Sequence, residues 1–237
     1  MPAWLISLLT YSKKHPIYIQ KSIKSIIDNC IRSQEWPIHT ISDFLHKLVR
    51  TNEHFAVLIV LSISEQLLEK RQNISAQNVI SLIPPDFIYF NIIQNIFKAK
   101  SCLLEANYIQ AKEFLVDIFQ EESIPKSIRG IAGLNLIESH KFLGDITEAK
   151  QATITLGELL NPKYEFELWM RSQCELSELE FIEGDLPNSW CRLKALQNCS
   201  NYRKSSRLLS IINYLRGEIL FSVGKYSNAN DAFFIEC

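Results

Sequence analysis

The segment KFLGDITEAK, residues 141–150, places a glycine and an aspartate between two apolar stretches. The pattern is a small residue, then an apolar residue two positions later and another small residue five positions later. It recurs along the chain at spacings of 38, 40 and 40 residues. The four copies start at Ala106, Gly144, Gly184 and Gly224. A regular period in this range is typical of a helical repeat array.

The sequence around each turn predicts a pair of helices. A glycine after a helix supplies a left-handed C-cap at little steric cost, and a small residue in the next helix permits close approach. Apolar residues flank the turn mostly at three- and four-residue spacing, which is typical of amphipathic helices. Around Gly144 they are Ile131, Leu134, Ile137 and Phe142 before it, and Ala149, Ala152, Thr153, Leu156 and Leu160 after it. No segment alternates long enough to predict a strand, so we predict an all-α chain of stacked antiparallel helix pairs.

The turn resembles that of the tetratricopeptide repeat family, which carries Gly, Asp or Asn, Tyr and, three residues later, Ala. Residues 144–149, GDITEA, match this motif closely, and residues 224–229 and 106–111 match it moderately. The resemblance implies a right-handed α-α superhelix, a tetratricopeptide-like solenoid, over residues 86–237 with turns near 106, 144, 184 and 224. The period of about 40 residues exceeds the family's unit of about 34 residues, which indicates longer helices.

The two ends of the chain depart from the repeat pattern. Residues 1–85 keep helical spacing but lack the glycine turn, so we expect degenerate helix pairs that cap the array. At the other end, Phe233, Phe234 and Ile235 would form an apolar edge, whereas solenoids need a polar terminal cap. We expect either that the repeats continue beyond residue 237 or that this edge contacts a partner or a second copy of the chain.

Composition and targeting signals indicate a folded intracellular protein. The 237 residues are 47% hydrophobic and 22% charged, and the formal net charge of −1 gives no case for binding nucleic acid. Six scattered cysteines without a CxxC pair predict reduced thiols, and hence the cytoplasm or nucleus. The apolar run at residues 55–63 is about half of a membrane span, and the N-terminal run lacks the charge order of a signal peptide.

No chemical motif nominates an enzyme. Phosphate-binding loops, the dinucleotide fingerprint, the helical zinc-protease motif and the nucleophile elbow are all missing from the sequence. His39, His46 and His54 are seven and eight residues apart, but isolated histidines at such spacing are more often surface or core residues than metal ligands. We therefore predict no catalytic residues, no metal and no cofactor.

The resemblance implies a concave groove lined by the first helix of each pair, at 13, 10, 6 and 3 residues before the turn. Glutamates recur at the third of these positions in consecutive copies: Glu138, Glu178 and Glu218. Their predicted neighbours in the groove are Lys141, Phe181, Tyr214 and Phe221. Because acidic charge along a concave wall attracts cations, the predicted partner is a peptide with basic residues and apolar anchors. Alternatively, the glutamates are ordinary helix formers, or they pair with Lys141 and Arg216.

Two classes of function follow from this pattern. The first is a non-catalytic scaffold, a subunit of a multi-protein assembly that binds a peptide or a partner helix. The second is a peptide- or ligand-sensing regulatory domain of a larger protein whose effector module lies elsewhere. RNA-reading repeats are disfavoured, because groove glutamates would repel phosphate.

Overall fold

The computed structural model describes residues 60–61, 64–65, 67–68, 71–81, 83, 85–203 and 206–234. All regular elements in these ranges are α-helices, so the prediction of an all-α fold is confirmed. They are α1 (Asn73–Ser81), α2 (Phe90–Leu104), α3 (Tyr108–Gln120), α4 (Lys126–Leu143), α5 (Ile146–Leu159), α6 (Phe166–Ile182), α7 (Leu186–Arg203), α8 (Ser206–Ser222) and α9 (Tyr226–Phe234).

The chain divides into two compact units, Met1–Ile128 and Arg129–Cys237. The division falls within the first turn of α4. Most of the predicted N-terminal capping region lies outside the described residues. Its boundary after residue 85 therefore stays a prediction.

In the first unit, α2 packs along α3. The buried face of α2 follows the three- and four-residue spacing that the sequence predicts, with Ile93, Ile96 and Phe97 at its centre. From α3, Ala111 and Leu115 complete this interface, and both are fully buried. The first unit therefore contains a helix pair joined at the turn of Ala106.

In the second unit, α6 occupies the central place in the packing. It contacts α5, α7 and α8, while α7 also packs on α8, and α8 on α9. A hydrophobic core cluster lies among α6, α7 and α8. Its buried members are Met170, Cys174, Leu193, Leu196, Leu208, Ile212, Leu215 and Ile219.

The four turns of the repeat pattern, at residues 106, 144, 184 and 224, share one hydrogen-bonding pattern. Gly144, Gly184 and Gly224 have φ of 79°, 84° and 76°, which confirms the inference that these glycines supply a left-handed C-cap. In each turn the residue after the glycine donates its N–H to the carbonyl five residues earlier, as Asp185 does to Glu180 at 2.8 Å. The glycine N–H bonds the carbonyl three residues earlier, as Gly184 does to Phe181 at 3.0 Å. This pair of bonds is the Schellman motif, and it satisfies carbonyls that would otherwise be unpaired.

The turn of the first copy has the same bonds without a glycine. Ala106 has φ of 59°, its N–H donates to Leu103 at 3.1 Å, and the N–H of Asn107 donates to Cys102 at 2.8 Å. A side chain with a Cβ atom is strained in this conformation by about 1–2 kcal/mol. The helix pair of the first unit therefore tolerates backbone strain that glycine removes in the other three turns.

The small residue five positions after each turn start is buried in all four copies. These residues are Ala111, Ala149, Ser189 and Ala229. In the third copy the serine also forms a polar contact between α6 and α7. Ser189 Oγ donates to the Ser177 carbonyl at 2.7 Å, and Ser177 Oγ donates to the Ser189 carbonyl at 3.0 Å. The close approach of helices that the sequence predicts thus coincides with buried contacts at this position.

A second polar contact fixes the rotation of α6 against α7. Arg192 of α7 forms a bidentate pair with Glu180, through Nε at 3.1 Å and a terminal nitrogen at 2.6 Å. Its other terminal nitrogen donates to Gln173 at 2.9 Å. Because a planar guanidinium matches a carboxylate in one orientation, this contact favours a single register of α6 on α7. Glu175 and Glu178 lie on a different face of α6.

Two single substitutions, one at each of two turns, should change the free energy of unfolding in opposite directions. Ala106→Gly removes left-handed strain at the cost of a more flexible unfolded chain, so we expect a gain of about 0.5–1 kcal/mol. Gly184→Ala introduces the same strain, and since nothing lies within 4 Å of the added Cβ, we expect a loss of about 1 kcal/mol from the backbone alone. Urea unfolding followed by circular dichroism measures both changes. Equal destabilisation by both substitutions would contradict the assigned role of the turn conformation.

Candidate binding groove

A pocket of about 310 Å³ lies between α6 and α8 in the second unit. It is lined by Cys174, Glu175, Glu178, Ser210, Ile211, Tyr214 and Leu215. Four of these residues occupy positions that the resemblance assigns to the concave groove: Cys174, Glu178, Ile211 and Tyr214. The structure therefore brings predicted groove positions of two consecutive copies together around one cavity.

Helical spacing explains how the pocket is built. On α6, Cys174 and Glu178 are four residues apart and so lie on one face. On α8, Ile211, Tyr214 and Leu215 share a face at three- and four-residue spacing. Cys174 and Leu215 are buried and form the apolar floor, whereas Tyr214 is 57% exposed and forms part of the rim. The result is an apolar depression with a polar and aromatic edge.

Lys141, in the last turn of α4, holds the two glutamates of the rim. Its Nζ donates to Glu175 Oε2 at 2.8 Å and to Glu178 Oε2 at 2.6 Å. Burial by itself would lower the pKa of the Lys141 ammonium, but attraction to Glu175 and Glu178 outweighs it and raises the pKa above its usual value. The ammonium therefore stays charged at physiological pH and offsets one of the two carboxylates.

The alternative that the groove glutamates have cationic partners within the chain is confirmed for Glu178 and Lys141. Among the described residues, Arg216, the other cation considered, contacts other side chains. Its guanidinium donates to Gln197 at 2.7 Å and lies 5.2 Å from the centroid of the Trp190 ring. The acidic field of the groove is thus weaker at Glu178 than the sequence alone indicates.

The other two glutamates are in different settings. Glu138 is half-buried on α4 and takes part in an interaction of its own. Glu218 is half-buried on α8, one turn after Tyr214, and has no ion pair within the described residues. In the first copy, the equivalent position holds the buried Lys100. Glu218 is therefore the groove glutamate that remains most directly available to a basic partner.

The aromatic residues of the predicted groove differ in how much of each ring is accessible. Phe181 is half-buried against the core cluster of the second unit, which indicates a packing role. Phe221 is 59% exposed and makes an edge contact with Tyr226, with ring centroids 5.2 Å apart. The Tyr214 ring lies 5.9 Å from that of Phe233. Binding through Tyr214 and Phe221 stays a prediction, and their exposure leaves them accessible to a partner.

The predicted apolar edge at the C-terminal end is only partly within the described residues. The ring of Phe233 lies against Gly217, where an added Cβ would come within 2.4 Å of it. Phe233 nevertheless remains 38% exposed. Ile235 and the side chain of Phe234 are outside the described residues. Self-association through this edge therefore stays a prediction.

Sequence reasoning missed Glu175, Ser210 and Leu215 as lining residues. Glu175 had a detectable signal, because it precedes Glu178 by three residues and therefore shares its face of α6. The repeat pattern hides it, since Glu175 does not fall at a groove position of the resembled family. Ser210 and Leu215 flank groove positions on α8 and carry no comparable signal.

The thiol of Cys174 lies at the floor of the pocket. Burial raises the pKa of the Cys174 thiol to about 12, and the carboxylates of Glu175 and Glu178 add to this against the effect of Arg171. Cys174 is therefore a neutral apolar residue at the pocket floor, since a reactive thiol needs a lowered pKa.

The described part of the chain contains neither a cluster of metal-binding side chains nor a helix that could span a membrane. There, His, Cys, Asp and Glu side chains form no group of three or more that could hold a metal ion. His39, His46 and His54 lie outside this part. Among the described helices, none combines the length and the apolar character needed to span a bilayer.

Comparison of the chain with protein-family models, curated proteins and solved structures finds no match. The interpretation of the groove therefore depends on the residues and their geometry.

Removing the cation that bridges α4 and α6 should destabilise the second unit. Lys141→Met leaves Glu175 and Glu178 near each other without their counter-ion. We expect a loss of about 1–2 kcal/mol, between the values for exposed and fully buried pairs. The matched control is Lys150→Met, which breaks the more exposed pair with Glu183 and should cost at most about 0.5 kcal/mol. Urea unfolding measures both.

The loss caused by Lys141→Met should depend on pH in one direction. The pKa of Lys141 in the folded state is raised above 10.5. The contribution of the ion pair to the free energy of unfolding is therefore fully present below pH 10.5, and it is lost as the pH rises through the folded-state pKa. The difference in unfolding free energy between wild type and variant should therefore be constant from about pH 7 to 9 and shrink above about pH 10.5. A difference that disappeared between pH 7 and 9 would contradict the assigned ion pair.

Proposed function

We propose that residues 86–237 form a tetratricopeptide-like α-solenoid that acts as a non-catalytic protein-binding scaffold, a subunit of a multi-protein assembly. A peptide or partner helix binds in the groove formed by the first helices of the pairs. The observation that carries this proposal is the pocket between α6 and α8, which is lined by predicted groove positions from two consecutive copies.

The packing within the second unit supports a stacked arrangement. There α6 contacts its neighbours in the chain, α5 and α7, and also α8, the first helix of the next pair. An array of stacked helix pairs produces contacts of this kind, because each repeat packs on its neighbours and the first helices lie side by side. The ion pair from Lys141 on α4 to α6 extends the same relation to the preceding copy.

The chemistry of the groove supports a protein partner. Tyrosine is enriched among the residues that dominate binding energy at interfaces, because its ring buries a large area at low entropic cost. Tyr214 and Phe221 are accessible on α8, and Glu218 lies between them on the same helix. A partner helix with basic residues and apolar anchors would match this set of side chains.

The regulatory alternative requires a ligand site, and within the described residues the pocket between α6 and α8 is a candidate for it. Its volume of about 310 Å³ is at the lower end of the range for small-molecule sites, about 300–1,000 Å³. One side chain of a peptide fills such a space more readily than a drug-sized ligand does. We therefore favour the scaffold, without enzyme activity and in the cytoplasm or nucleus, over a sensor of small molecules.

Substitution of the accessible tyrosine should abolish partner capture. We expect the wild-type chain to recover defined proteins from native lysate and Tyr214→Ser to recover at least tenfold less of them, as for an interface hot spot. Tyr164→Ser is the matched control, because Tyr164 is 61% exposed but lies outside the pocket, between α5 and α6. It should recover the wild-type amounts. Recovery of the same proteins by all three chains would contradict the proposal, provided circular dichroism shows equal helicity.

A further inference from the structure

A further turn with the same hydrogen bonds lies at Arg71, 35 residues before the turn at Ala106. Arg71 has a φ of 58°, so it adopts the left-handed conformation. Its N–H donates to the Leu68 carbonyl at 2.8 Å, and the N–H of Gln72 donates to the Leu67 carbonyl at 2.9 Å. These are the two bonds of the Schellman motif, in the positions that they have in the other four turns.

The chain starts a new helix after Arg71 in the register of the other copies. The N–H of Ala76, five positions after Arg71, donates to the Gln72 carbonyl at 3.0 Å. The other four copies have the equivalent bond, which runs from Ala111 to Asn107 at 3.1 Å in the next copy. Ala76 is a small residue at the position of the small residue in the pattern, and it is fully buried, as Ala111 is. The helix α1 therefore starts as the second helix of a pair does.

The buried positions before this turn also coincide with those of the first helices. The described residues at 60–61, 64–65 and 67–68 are helical. Leu61 and Leu68, ten and three positions before the turn, are buried. Seven positions before each of the five turns lies a buried residue, which is small in all copies but one: Ser64, Ala99, Ile137, Ser177 and Gly217.

We infer that the first unit contains a fifth copy of the repeat, with its turn at Arg71, and that Glu65 contacts the partner as the groove residue of this copy. The contact rests on the proposed function, since it extends the surface that binds the partner to the first unit. The array then begins before residue 64 rather than near residue 86. The sequence does not show this copy, because an arginine stands where the pattern has a glycine or alanine.

Glu65 occupies the position at which glutamate recurs in the predicted groove. It lies six positions before Arg71, as Glu178 does before its own turn, and Glu178 lines the pocket between α6 and α8. The exception is the copy at residue 106, where this position holds the buried Lys100. In the other four copies the residue is a half-buried glutamate: Glu65, Glu138, Glu178 and Glu218. A partner segment with basic residues therefore has an acidic position to contact in the first unit as well.

Overpacking at Ala76 tests whether α1 belongs to a packed helix pair. Ala76→Leu enlarges a fully buried side chain and should lower the melting temperature by about 2–12 °C, as Ala111→Leu should in the next copy. Gln77→Leu is the matched control, because it places the same side chain at the neighbouring exposed position. It should change the melting temperature by less than about 2 °C. Equal effects of Ala76→Leu and Gln77→Leu, measured by circular dichroism, overturn the fifth copy.

Glycine substitution at the turn gives a second measurement that does not depend on overpacking. Arg71→Gly removes left-handed strain at an exposed residue and should raise the melting temperature by about 1–4 °C. Gln72→Gly is the matched control at the neighbouring residue, which does not have a positive φ. It adds only flexibility to the unfolded chain and should lower the melting temperature. A lower melting temperature for Arg71→Gly than for the wild type overturns the assigned turn.

Photo-crosslinking tests the contact at Glu65, because it reports proximity and not charge. Like Glu138, Glu65 takes part in an interaction within the chain, so loss of its charge would change more than partner binding. In cells, p-benzoylphenylalanine is incorporated into the full chain at position 65 and, as the control, at the exposed position 77 of α1. If this aromatic probe prevents folding, a flexible diazirine-lysine replaces it at both positions.

We expect position 65 to form adducts with the proteins that the wild-type chain recovers from lysate, and position 77 to form none of these. The absence of adducts at position 65, or the same adducts at both positions, overturns the contact at Glu65.

Failure of this inference and failure of the proposed function are distinguishable. If Tyr214→Ser loses partner proteins but position 65 forms no adducts with them, the groove binds its partner without Glu65, and the inferred contact is wrong. If position 65 forms the adducts but Tyr214→Ser retains every partner, the first unit contacts the partner and the proposed binding at Tyr214 is wrong. The two melting comparisons test the fifth copy independently of partner binding.

Discussion

The fold depends on one local constraint, the left-handed residue that reverses the chain between the helices of a pair. Its conformation closes the two hydrogen bonds of the Schellman motif, and it brings the small residue five positions later into the interface. Repetition of this unit about every 40 residues produces successive helix pairs. The pocket follows from this repetition, because predicted groove positions of two consecutive copies, on α6 and α8, line it.

The helix α6 connects the fold to the candidate site. One of its faces is held against α7 by the bidentate contact between Arg192 and Glu180 and by the paired serines. Another face presents Glu175 and Glu178 to Lys141 and to the pocket. These polar contacts therefore set the rotation of α6, and that rotation determines which carboxylates line the pocket.

Much of the fold was predictable because its determinants are local. The left-handed glycines and the small buried residues each act within a few positions of the turn, so their pattern is readable in the sequence. The strained turn at Ala106 is less readable, since only hydrogen bonding shows that an alanine adopts the left-handed conformation there.

The site was predictable only in outline. Helical spacing places Cys174, Glu178, Ile211 and Tyr214 on the correct faces, but it does not give the partners of charged side chains on other helices. The double contact of Lys141 depends on the separation of α4 and α6 and on side-chain rotamers. For this reason the sequence predicts Glu178 to be one of three groove glutamates that attract a basic partner, while the structure shows it bonded to Lys141.

The central claim is that a protein partner contacts the groove at Tyr214. Photo-crosslinking in cells tests it most directly, with p-benzoylphenylalanine incorporated at position 214 and, for comparison, at position 164. The account predicts adducts with one or a few defined proteins at position 214 and none of these at position 164. The absence of adducts at position 214, or the same adducts at both positions, would contradict it.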